Sequence, residues 1–297
     1  MQELKEYFHV NVSEYDPTKN YEVVRPSSLS NPKDHSVMFV TEGFLSQWES
    51  VLNVKECLVI WPKTVDVPAK LRKNHAVLLS VEPRYGFAQF FADHKITYNA
   101  MPAQFEMKNG AYICNGAVIG KNTVIFPGAY IGDEVVIGDD CYIASGVRIV
   151  GHVMIGNQCI IRENTVIGSD GLTTRRNSDG KVITTPQFGG VLIEDNVQIG
   201  ANSVVCKGAI DDTVISSGTR IDNETFISHN VHIGKDCLIV GETLMMGSSS
   251  LEDGGFISGN SVVRDGVHIE ENAFIGMGSV VVRNVPAATV VKGNPAR

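Results

Sequence analysis

The sequence predicts an α/β N-terminal domain followed by an all-β, left-handed parallel β-helix. Two observations carry that prediction: a change of grammar near residue 104, and an aliphatic residue at every sixth position beyond it. Over residues 1–103 the apolar runs VMFV (37–40), CLVIWP (57–62) and HAVLLSV (75–81) are bounded by Pro, Asp and Lys, as short strands are. In PRYGFAQFFADH, residues Phe87, Phe90, Phe91 and His94 recur at helical spacing, which predicts an amphipathic helix laid on a sheet.

From Tyr112 the period is neither 3.6 nor 2. Ten isoleucines, Ile113 to Ile167, follow one another at intervals of six, and the beat resumes at Ile193, Ile199 and Val205, then runs from Ile215 to Val281. Each six-residue unit is one short strand and a corner, and three units close a triangular coil. Stacked coils stand about 4.8 Å apart as parallel strands, so the isoleucines form interior columns. The fourth residue after each is usually Ala, Ser, Thr, Val or Cys, small enough to share the interior. Cys141, Cys159 and Cys237 fall in that slot and read as core fillers. The repeated IG-x-x steps predict the left-handed coil, an exception to right-handed crossovers. The helix domain is therefore placed at 104–297.

The beat breaks twice. Ile193 follows Ile167 at an interval of 26, and the polar, glycine-rich stretch between them predicts an excursion loop at about 169–190. Loops of this length bind something or reach a neighbour. From Val205 to Ile215 there are ten residues where twelve are expected, and the shortened corner carries GAIDDT with Asp211 and Asp212.

Bulk properties exclude several classes. The chain has 297 residues, 43% of them hydrophobic, and a net charge of −8 with no basic stripe, which argues against a nucleic-acid partner. Neither a secretory leader nor an apolar run of about 18 residues is present, so no membrane span and a cytoplasmic location are expected. The six cysteines never occur as C-x-x-C, which points away from a disulfide framework or a zinc cluster.

Against this repeat, His229 stands out. It lies two residues after Ile227, at a corner, with its side chain outward; one coil later the same position is Gly247. A glycine there leaves a backbone N–H about one strand spacing, ~4.8 Å, from the histidine backbone. One coil earlier the shortened corner brings Asp211 or Asp212 to the same edge. A base, an N–H donor and a carboxylate are the parts that acyl transfer from a thioester requires. A lone outward histidine is ordinary; the aligned glycine and the paired carboxylates single this one out. His232 and His268 are two coils apart, about 9.6 Å, too far to share a metal ion within one subunit, so no metal is expected.

GAIDDTVISSGTRIDNETFISHNVHIG, together with VIGSDGLTT…TPQFGGVLIEDNVQIGA, resembles the UDP-3-O-acylglucosamine N-acyltransferases of lipid A synthesis and related sugar-nucleotide N-acyltransferases. The likeness runs through both breaks and extends more weakly into RPSSLSNPKDHSVMFV and PRYGFAQFFADH. It implies that His229, in H-N-V-x-I-G, is the general base and that Gly247, in MMGSS, supplies the oxyanion N–H. It further implies a homotrimer with sites between adjacent helices, and an N-terminal domain that stacks the nucleotide base on aromatic side chains, here Phe39 and Phe44. Asp222 and Asn223, at the adjoining corner, are candidates to orient the imidazole or the sugar.

Three departures from the resemblance shape the expectation. Cys206 stands where the family has an aspartate. A histidine expected near the pantetheine arm falls at Gly266, with Arg264 close by. The ending VVKGNPAR resembles CoA-dependent hexapeptide sugar acetyltransferases, which implies that Lys292 and Arg297 meet CoA phosphates. The expectation is thus an N-acyltransferase moving an acyl group from acyl-CoA to the amine of a dTDP- or UDP-linked amino sugar. The alternatives are the lipid A step with acyl carrier protein as donor, and a non-catalytic sugar-nucleotide-binding scaffold.

Overall fold

The computed structural model describes residues 5–97, 104–176 and 179–297, so the domain boundary read at 103 lies outside the described residues. The chain forms two compact units: Met1–Asn99 with Leu172–Phe188, and Ala100–Gly171 with Gly189–Arg297. The excursion therefore groups with the N-terminal unit over Leu172–Phe188, rather than with the helix domain of 104–297. The cause is one buried aromatic. Phe188 packs against Tyr7 and Phe91, each at 5.1 Å between ring centroids, and against Phe8 at 6.1 Å. The Tyr7 hydroxyl also donates to the Phe188 carbonyl at 3.0 Å.

The N-terminal unit is built on a four-stranded parallel sheet in the order Arg25–Pro26, Ser36–Phe39, Leu58–Pro62, Ala76–Ser80. The helix Pro83–Asp93 starts on a proline, whose missing N–H is no loss in a first turn, and buries Phe87, Phe90 and Phe91. His94 follows as its C-cap, its ring accepting from or donating to the Tyr15 hydroxyl at 2.7 Å. Residues Glu42–Asn53 form a 3₁₀ helix that follows the second strand.

The second unit is a left-handed parallel β-helix with three flat faces of eight to ten strands. Register repeats coil by coil: Ile137 over Ile155, Ile155 over Ile193, Ile215 over Ile233. Each strand is only two to four residues long, so the fold depends on its interior columns and its corners. Ile131, Ile143, Ile161, Ile227 and Ile257 are fully buried in one continuous core, against which the first column members Ile113, Ile119 and Ile125 pack partly buried. The small-residue slot is buried too, and its hydroxyls cap corner carbonyls: Thr219 donates to Gly234 at 2.8 Å, Thr243 to Val240 at 2.7 Å. Cys141, Cys159 and Cys237 occupy the same slot, all buried and unpaired as disulfides.

Outside the core, carboxylate and amide oxygens stitch successive corners together. Lys121 N–H donates to Asp139 at 2.6 Å, Asp139 N–H to Asn157 at 2.8 Å and Asn157 N–H to Asp195 at 2.6 Å. The last step crosses the excursion, so the ladder continues as though the inserted residues were absent. Among the described residues no helix is long and apolar enough to cross a membrane.

Candidate active site

His229 lies on the corner between the face that carries Phe226–Ile227 and the face that carries His232–Ile233. Gly247 sits directly after it in the stack: Ile227 pairs with Met245, and Ser248 N–H donates to the His229 carbonyl at 2.9 Å. The imidazole leans over the bare Cα of the glycine. A Cβ built on Gly247 would lie 2.5 Å from His229 Cε1 and 2.6 Å from Nε2. That contact exists only because residue 247 has no side chain. The Gly247 N–H donates to no group among the described residues.

Asp212 accepts from the Gly190 N–H at 2.6 Å, and Asp211 contributes its backbone carbonyl to Asn230. What touches the ring is the Asn230 side chain, with Oδ1 3.2 Å from His229 Nδ1. The group seen at Nδ1 is thus an amide oxygen, and the carboxylate expected beside the imidazole from Asp211 or Asp212 stays a proposal. The shortened corner brings the Asp211 carbonyl against Gly208, and the Asp212 carboxylate holds the Gly190 N–H.

The remaining candidates separate. Asp222 and Asn223 stand on the next edge of the prism, where Asn223 accepts from Ala201 N–H at 2.7 Å and Asp222 from Gly241 N–H at 3.3 Å. They serve the corner ladder and do not reach the His229 edge. Arg264 is exposed on the same edge as His229, one coil beyond Met246. Lys292 stands on another edge, above Gly276, and exchanges two backbone hydrogen bonds with Arg297, each 3.2 Å. Cys206 is buried, and that burial pushes its thiol pKa up; it is packing, with Ser169 beside it. In the N-terminal unit Phe39 packs on Phe87 at 5.0 Å, whereas Phe44 is 41% exposed.

Sequence reasoning passed over Asn230. Its backbone has φ of +58°, in the left-handed region that asparagine tolerates. Asn122, Asn164, Asn196, Asn202, Asn260 and Asn272 adopt the same conformation at other corners, so Asn230 reads as one more turn residue. The available signal was its position next to His229, at a corner beside the repeat's own break.

Parts of this chain are similar to known proteins. Residues 116–151 and 134–169 match the family described as bacterial transferase hexapeptide (six repeats). Residues 190–222 and 250–283 match the hexapeptide repeat of succinyl-transferase. The UDP-3-O-acylglucosamine N-acyltransferase of Caulobacter sp. (strain K31) is 38% identical over 137 residues, 46% of this chain and 40% of that protein. That of Francisella tularensis subsp. holarctica is 49% identical over 79 residues, 27% of this chain and 23% of that protein. The chain thus spans about two fifths or less of the length of these curated relatives. Among solved structures, the UDP-N-acetylglucosamine acyltransferase of Bacteroides fragilis 9343 superposes with a TM-score of 0.58 at 24% identity. The superposition covers 65% of this chain and 73% of that one, a likeness of fold.

Proposed function

Because the chain carries hexapeptide repeats and is similar, over 137 residues, to a UDP-3-O-acylglucosamine N-acyltransferase, we propose that it forms an amide on a nucleotide-linked amino sugar. The observation that carries this reading is the His229 imidazole lying against the bare Cα of Gly247. In the proposed reaction the sugar amine attacks the thioester carbonyl carbon. The C–N bond forms, the C–S bond breaks, His229 Nε2 takes the amine proton and passes it to the departing thiolate. The Gly247 N–H holds the developing oxyanion, the kind of donor worth about 10²–10³ in rate.

The relatives' name favours a UDP-linked, 3-O-acylated glucosamine as acceptor over a dTDP sugar. Phe44 is the side chain proposed to stack on its base, since Phe39 is spent on Phe87. Both acyl-CoA and acyl carrier protein present the acyl group on a phosphopantetheine arm, and Arg264, on the His229 edge, is proposed to meet an arm phosphate. Lys292 and Arg297, a separate pair, are proposed for the CoA nucleotide. Three copies are proposed to assemble with the site at their seam. The third face supports this, with Leu238 44%, Phe274 39% and Val290 66% exposed in one column.

The test is thiol release and amide formation with UDP-3-O-acyl-glucosamine, run in parallel with acyl-CoA and acyl carrier protein. The reading predicts turnover with at least one donor. A stable protein that releases no thiol with either, despite binding the nucleotide, is a scaffold.

A further inference from the structure

We infer that Asn230, held by the shortened corner of the repeat, is a positioning residue that fixes which nitrogen of His229 is basic; this rests on the acyl-transfer reading above. The amide cannot be turned around. Its Nδ2 donates to the Asp211 carbonyl at 2.7 Å, and its Oδ1 accepts from the Ala209 N–H at 3.0 Å. Its own N–H donates to Thr213 Oγ1 at 2.9 Å. Reversing the amide would set an N–H₂ against the Ala209 N–H and an oxygen against the Asp211 carbonyl. The atom 3.2 Å from His229 Nδ1 is therefore a carbonyl oxygen, which can only accept.

A nitrogen facing an acceptor carries the proton. Nδ1 of neutral His229 is thus the N–H, and the lone pair is left on Nε2, the nitrogen beside Gly247. An unconstrained histidine side chain prefers the opposite tautomer, with the proton on Nε2, where it has no lone pair to offer an amine. The two groups that clamp the amide, Ala209 N–H and Asp211 C=O, both come from the corner that is two residues short of the repeat. The break in the repeat has a use: a regular corner would continue the coil, and this one reaches back to grip the residue next to the base. The clamp is neutral, so it sets tautomer and ring orientation without adding a charge.

The experiment is ¹⁵N NMR of imidazole-labelled protein above the histidine titration range, with the His229 signals identified among eight histidines by their loss in His229→Gln. The expected result is a protonated Nδ1 and an unprotonated Nε2. In Asn230→Ala the tautomer shifts toward Nε2–H, and kcat/KM with UDP-3-O-acyl-glucosamine falls about tenfold to hundredfold, part of what a general base contributes. The loss falls on kcat, with KM little changed. A wild-type signal with the proton on Nε2 overturns the inference, as does an Asn230→Ala protein whose tautomer or turnover matches wild type. Absence of turnover in the wild type with every donor would instead remove the acyl-transfer reading, while the tautomer measurement stands on its own.

Discussion

A methyl group at position 247 has no room unless the ring of His229 moves, since it would lie 2.5 Å from Cε1. The obstacle is the end of a side chain, so the coil survives and the imidazole yields. Gly247→Ala is expected to unfold within about 1 kcal/mol of wild type and to lose at least about a hundredfold in kcat. Denaturant unfolding beside steady-state rates measures both. A second residue-scale prediction concerns His75, fully buried, with Nδ1 accepting from the Cys57 N–H at 3.3 Å. Burial, aided by the charge of Lys19, lowers its pKa from the ordinary 6.5. Above pH 6.5 neither the folded nor the unfolded state binds the proton, and stability is whole. As the pH falls below 6.5 the unfolded chain protonates first, so stability declines until the lowered folded value is passed. Trp48 and Trp61 are the chain's two tryptophans and both lie in the N-terminal unit, so their fluorescence follows that unit alone. Urea midpoints by fluorescence should fall from pH 7.5 to 5.5, and His75→Gln should flatten that dependence. The sequence made His229 and Gly247 legible because a fixed period turns position into height. Asn230 stayed hidden because its amide is set by a corner that departs from the period.

At the scale of the element, the repeat specifies itself through two interior slots and one corner ladder. Ile227→Ala would empty a fully buried position between Val205 and Met245, at a cost of about 2–5 kcal/mol. A urea midpoint followed by far-ultraviolet dichroism checks it, and a cost below about 1 kcal/mol would contradict the packing described. The excursion was legible as an interruption and illegible as a destination. Its composition is polar, and Phe188 and the partly buried hairpin Thr174–Arg176 with Val182–Thr184 tie it to the N-terminal unit. Its base is fixed by Lys207, whose side chain is 3% exposed and whose ammonium lies 2.8 Å from Asp170. Asp170→Ala removes one partner from that buried ammonium, a loss of about 1–3 kcal/mol. The neck should open first, read as faster proteolytic cleavage within 172–188; an unchanged cleavage rate would show that Lys207 does not hold it.

At the scale of the whole molecule, the N-terminal unit is proposed to bind the nucleotide and the coil to carry the chemistry, with three chains per assembly. Sedimentation equilibrium should give about three times the chain mass. Phe44→Ala should raise KM for the nucleotide-linked acceptor by about tenfold or more, the worth of one stacked base, and leave kcat nearly unchanged. The β-helix was readable over nearly its whole length because every sixth residue repeats the same instruction. The N-terminal unit was readable only as strands and one helix, since its 3₁₀ segment Glu42–Asn53 carries no such period. The central claim concerns proton transfer at one edge of the coil. Its most direct test is thiol release with UDP-3-O-acyl-glucosamine and an acyl thioester, wild type against His229→Ala, with both proteins matched in dichroism and sedimentation. The account predicts a fall in kcat of about 10²–10⁴ for the variant; a folded His229→Ala protein that keeps most of the wild-type turnover would contradict it.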